Sequence, residues 1–189
     1  MASLPSSFNI AAKPGYLPSA LESSLTKYRS SNDNYGPSDT ISIEVDTSGS
    51  ARWLSPGECF ISFALVVTHP EDTAATDVKQ HLDGSAQSLF QSVKLTHNGQ
   101  DLSSISHYGR LAAALRDFSV SKSAASSDSI NLGADPTNPE GGMALTSGVK
   151  YYFSFPLILP LLGTLTTNSV PLSWMNSGQL RIEITTAPI

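Results

Sequence analysis

The chain is 189 residues long, 40% hydrophobic and only 14% charged, with a net charge of −5 and one cysteine. This length and hydrophobic share fit a single domain of β-sandwich size with its own core, and exclude a disordered chain. The charge excludes a strong nucleic-acid binder, since neutralising a phosphate backbone takes clustered Lys and Arg; one cysteine excludes an intrachain disulfide or a thiolate zinc site.

Residues 1–39 are rich in Ser, Pro, Asn and Tyr and read as an extended N-terminal arm. Such an arm drapes over a partner or over the domain's own surface. A helical turn between Ser19 and Tyr28, with Leu21 and Leu25 four apart, is the alternative. Lys13, Lys27 and Arg29 are offset by Glu22, Asp33 and Asp39, and the first sixteen residues lack the basic and apolar regions of a secretory signal.

Residues 40–189 read as the domain. Thr40–Asp46 alternates Ile41, Ile43 and Val45 with Ser42 and Glu44, which is the period of a strand with one face buried. After a Gly/Ser turn, Trp53 and Leu54 lead through Ser55-Pro56-Gly57 into Glu58–Thr68. That run is nearly all apolar, β-branched or aromatic, and predicts a central strand covered on both faces, with Cys59 a small core residue. Residues 69–88 are polar and predict a surface loop. Leu89–His97 is a further strand, and Asn98-Gly99 favours the type I′ turn of a hairpin that returns over Gln100–Ile105.

A helix is predicted over about 107–117, with Ser106 as N-cap. Its apolar stripe is Tyr108, Leu111, Ala112, Leu115 and Phe118, which would plug one end or side of the sheets. A long loop, 119–147, follows. Tyr151, Phe153 and Phe155 then alternate with Tyr152 and Ser154 in a strand stopped by Pro156 and Pro160. The stretch Leu157–Leu165 is the most apolar, but Pro160 and Gly163 break it and it falls short of the ~20 residues of a membrane helix. Beyond a bend at Pro171, Leu180, Ile182 and Ile184 alternate with Arg181, Glu183 and Thr185 in a closing strand. The sum is an all-β chain: an antiparallel jelly-roll β-sandwich with one short inserted helix.

No residue stands out as catalytic, cofactor-binding or metal-ligating. His69, His81, His97 and His107 have no metal spacing, and a Ser–His–Asp triad lacks its G-x-S-x-G elbow. Asp83-Gly84 and Gly141-Gly142 are turn signals without a phosphate-binding motif. Asp128, Asp135 and Glu140 lack calcium-loop spacing, and nothing pairs Glu44, Glu58 or Glu183 as acid and base. Trp53 and Trp174 could stack on sugar in a lectin-like sandwich, or pack under loops. The low charge, below the roughly 25% of average soluble proteins, suits a surface that neighbours cover; it equally suits a low-charge β-protein.

The order of these motifs resembles viral capsid proteins of the double-jelly-roll lineage, found in virophages, Polinton-like elements, large eukaryotic DNA viruses and tailless icosahedral phages. ISIEVDTSGSARWLSPGECFISFALVV resembles the opening of their first jelly roll. SAQSLFQSVKLTHNGQDLSSISHYGRLAAALRD is similar to their strand-hairpin and tyrosine-led helix. FSFPLILPLLGTLTTNSVPLSWMNSGQLRIEIT is similar to the closing strands. The likeness spans about residues 40 to 186. It implies a structural, non-enzymatic coat protein of the virion, assembled in the host cytoplasm or nucleus into an icosahedral shell. Its partners would be its own copies, as trimer or pentamer, and other capsid proteins, without cofactor, membrane span or strong direct nucleic-acid binding. The pattern departs in one respect: a second jelly roll should follow, and the sequence ends at Ile189. A carbohydrate- or receptor-binding sandwich, such as a fibre head, is the alternative.

Overall fold

The computed structural model describes residues 24–47, 53–68, 80–119, 129–135, 142–163, 169–175 and 178–188. Among these the strands, in chain order, are β1 Thr40–Val45, β2 Trp53–Leu54, β3 Phe60–Val66, β4 Gln80–His81, β5 Phe90–His97, β6 Gln100–Ser106, β7 Ala144–Leu145, β8 Lys150–Pro156, β9 Val170–Pro171 and β10 Leu180–Thr186. The helices are α1 Tyr108–Ser119 and the single turn α2 Ser129–Leu132.

Period-two alternation builds the first layer, an antiparallel sheet in the order β1-β10-β5-β6. The first and last long strands lie side by side, so the chain's two ends meet at its heart. Register sets the apolar side chains in rows: Ile41, Ile184, Val93 and Ile105 form one, and Ile43, Ile182 and Leu95 another. A shift by one residue would turn every one of them toward water, which fixes the pairing. Asn98 and Gly99 both have positive φ, 49° and 76°, as the predicted hairpin turn requires.

The second layer is the antiparallel pair β3–β8, with β2–β9 and β4–β7 as shorter pairs. Phe63 meets Phe90, Phe153 and Phe155 at ring-centroid distances of 5.4, 5.7 and 5.8 Å, and Phe90 lies 6.2 Å from Tyr108. This aromatic cluster joins the layers, and each ring contributes roughly 150–250 Å² of buried surface. The whole is the jelly-roll sandwich that the strand order implied.

Four expectations need correcting. The run Glu58–Thr68 is not covered on both faces: Ile61 is buried and Phe63 and Leu65 point inward, whereas Phe60, Ser62, Ala64 and Val66 are exposed. Residues 80–89, expected as polar loop, hold β4 and a 3-10 turn, and Leu82, Ser85, Ala86 and Gln87 are buried there; residues 69–79 lie outside the described part. In α1 only Tyr108 and Ala112 of the apolar stripe are buried, and Phe118 is 90% exposed. The helix rests on the 3-10 turn through Gly109, where a Cβ would stand 2.9 Å from Ser88 Cα. His107, with φ of 60°, precedes the helix, and its carbonyl accepts from Leu111 N–H; Ser106 ends β6 instead. Finally, the excursion 119–147 carries α2, β7 and the bridge Ala134–Gly142, with Ala134 and Leu145 in the core.

Candidate interaction surface

The residues singled out for chemistry have structural places. His81 Nδ1 lies 3.4 Å from the Gly142 carbonyl oxygen, and His97 Nε2 lies 3.1 Å from that of Met175. Buried Thr47 reaches the same Met175 oxygen at 3.0 Å and the Gly178 oxygen at 2.6 Å, closing the loop before β10. Glu44 and Glu183 flank Arg181 at 2.6 and 3.9 Å on the sheet surface, so β1 and β10 bring them together as an ion pair and not as acid and base. Half-buried Cys59 precedes β3 and donates to the Ser55 carbonyl; burial first, then the nearby Glu58 charge, pushes its thiol pKa up. A thiol held in that state is a poor nucleophile. Asp135 is half-buried beside the Ala134 bridge, while His69, Asp128 and Glu140 lie outside the described residues. Among the described residues no three metal-ligating side chains converge, and no helix is long and apolar enough to cross a membrane.

Tyr108 is the most perturbed titratable group. Its hydroxyl accepts the Ile158 N–H at 2.9 Å under the β8 exit loop, and burial raises its pKa to about 12 against the smaller opposing effect of that bond. The ring anchors α1 to the core, which is a structural task.

The N-terminal segment seals one sheet edge. Ser31 N–H donates to Ser42 O of β1 at 3.0 Å, and Asp39 N–H donates to Thr186 Oγ1 at 2.9 Å. Backbone groups that an edge strand leaves open are thereby filled from the same chain. Trp53, paired with Pro171 in β2–β9, is 52% exposed, and Trp174 falls in the 3-10 turn Leu172–Met175.

The surface that chemistry does not explain is the outer side of β3–β8. Phe60, Val66 and Tyr152 are 61%, 49% and 71% exposed there, with Ala64 between them. Ser62 and Ser154 face each other across the pair at 2.8 Å, and Lys150 Nζ stands 5.6 Å from the Tyr152 ring centroid. Alternation in β8 had already placed Tyr152 and Ser154 opposite the core. The Ser and Ala of β3 were the available sign that its outer side is not core, masked by Phe60 and Val66.

No family model matches the chain, and no curated protein matches its sequence. Solved structures do match. PBCV-1 VP54, fitted into a reconstruction of the virophage Sputnik, superposes with a TM-score of 0.57 at 15% identity, over 90% of this chain and 37% of that one. A PBCV-1 virus capsid model aligns over the same shares at 16% identity, with a TM-score of 0.47. The chain is therefore an all-β protein with the jelly-roll fold. Its particular likeness is to part of the VP54 structure, and it spans 37% of the length of the chains it matches.

Proposed function

We propose that this chain is a structural, non-enzymatic subunit of a viral capsid, acting by self-assembly in the virion. The observation that carries the reading is the jelly-roll likeness to VP54, a chain placed in a virus particle, over nine-tenths of this sequence. Added to it is an apolar outer sheet face that a solitary sandwich would have reason to make polar. The finer assignments belong to the same proposal. Residues 1–39 act as an arm and 40–189 as the jelly-roll domain, whose loop 119–147 contacts neighbours. Copies associate as trimers or pentamers with other capsid proteins into an icosahedral shell, assembled in the host cytoplasm or nucleus. Closed symmetry lets one surface serve many identical contacts.

Mass photometry and negative-stain imaging of the purified chain, across salt and concentration, test this. Trimers, pentamers or shells are the expected result. A species that stays at the 20.0 kDa monomer mass throughout overturns it. One observation favours a second reading as a glycan- or receptor-binding module: the exposure of Trp53. On that reading Trp53→Ala abolishes binding on a glycan array with unfolding unchanged.

A further inference from the structure

The outer side of β3–β8 has the layout of a self-complementary contact. Its middle is apolar, and the two serine hydroxyls there already hydrogen-bond each other, so closing the face strips neither of its partner. Its charges sit at opposite ends. Lys150 pairs with Val66 at one end, and exposed Glu58 lies two residues before Phe60 at the other. Six residues of strand separate these ends, about 20 Å at ~3.3 Å per residue.

We infer that this face binds the same face of a second copy of the chain about a two-fold axis. In that arrangement the apolar centres meet, and Lys150 of each copy lies against Glu58 of the other, so that one geometry satisfies both ends twice. Stacking the two faces head to head would instead set Lys150 against Lys150. The choice of a like copy rests on the assembly reading above. Two strands about 20 Å long cover well under the ~800 Å² per partner of a stable complex. The contact is therefore weak by itself and suits a subunit held by several contacts at once.

Sedimentation velocity on the full chain over a concentration series tests the pairing, with thermal unfolding as the folding control. The wild-type chain associates reversibly. Tyr152→Glu weakens that association by about tenfold or more, as loss of a central aromatic anchor does. K150E alone and E58K alone each weaken it, because like charges then meet at both ends of the pair. An equimolar mixture of K150E and E58K associates more tightly than either variant alone, since each copy then meets the opposite charge at both ends. If Tyr152→Glu unfolds, the exposed charge variants decide the question.

Association unchanged by Tyr152→Glu, or a mixture no tighter than its components, overturns the pairing and leaves assembly through another surface. A wild-type chain monomeric at every concentration overturns the assembly reading as well.

Discussion

The outer sides of the two sheets differ in kind. On the four-stranded sheet, Glu44, Arg181, Glu183, Lys94 and Asp101 face outward and pair: Lys94 with Asp101 at 2.9 Å, Arg181 with Glu44 at 2.6 Å. That side is finished against water. The outer side of β3–β8 carries Phe60, Val66 and Tyr152, with one cation, Lys150, lying over an aromatic ring. Both sheets bury an apolar inner face with equal thoroughness, so core formation does not account for the contrast. A sheet whose second side is apolar is only half covered by its own fold, and a neighbour is the simplest cover.

The sharpest way to separate the two sides of β3–β8 is to truncate one residue on each. Phe155, 1% exposed and in contact with Phe63 and Phe90, loses its cavity-filling ring in Phe155→Ala. The expected loss of stability is about 3–5 kcal/mol, read by urea unfolding. Tyr152→Ala on the outer side should change unfolding by less than about 0.5 kcal/mol while weakening association. Equal losses of stability from both would mean that the outer side is core, covered by the chain itself.

Tyr108 tests the inner packing by pH. Its pKa rises from the usual 10 to about 12 because the phenol is desolvated. A raised folded-state value means that the contribution is complete below pH 10 and is lost as pH climbs from 10 toward 12, where only the unfolded chain ionises freely. The loss is on the order of 2–3 kcal/mol at ~1.4 kcal/mol per unit. Tyr108→Phe should flatten this alkaline fall in stability, at the expense of the Ile158 N–H, which loses its acceptor.

Much of this architecture is visible in the residues. β1, β8 and β10 follow from strict alternation, and the β5–β6 turn from Asn98-Gly99, because backbone period and positive φ are local requirements. What covers a face is not local. Phe60 and Val66 look like core because hydrophobicity records that water is avoided, not which molecule replaces it. Leu111 and Phe118 mislead in the same way on α1. The buried polar residues Ser85 and Gln87 mislead in the other direction. Their segment is pressed under α1 through Gly109, an approach of two backbones that composition cannot announce. The apolar face was thus present in the sequence but unassigned to either core or contact.

The finished side predicts little. Arg181→Ala removes the Glu44 pair, but both groups are about half exposed, so the loss is about 0.2–1 kcal/mol and shrinks in high salt. Association should not change. If Arg181→Ala dissociated the chain as strongly as Tyr152→Ala, the charged sheet would be the contact surface and the contrast would be reversed.

The smallest effect is the most specific to the apolar side. Ser62 and Ser154 satisfy each other at 2.8 Å, in water as in a contact. Ser62→Ala leaves the monomer within about 0.5 kcal/mol of its stability. In a closed contact, however, it strands the Ser154 hydroxyl without its partner, and weakens association. The double change Ser62→Ala with Ser154→Ala removes both groups, and should restore association to the wild-type level or above, because an unpaired buried hydroxyl is worse than none. A face that stays in water has no such cycle, since solvent satisfies the remaining hydroxyl in the single variant. Non-additivity in association, with additivity in unfolding, therefore marks these two serines as buried only when copies meet.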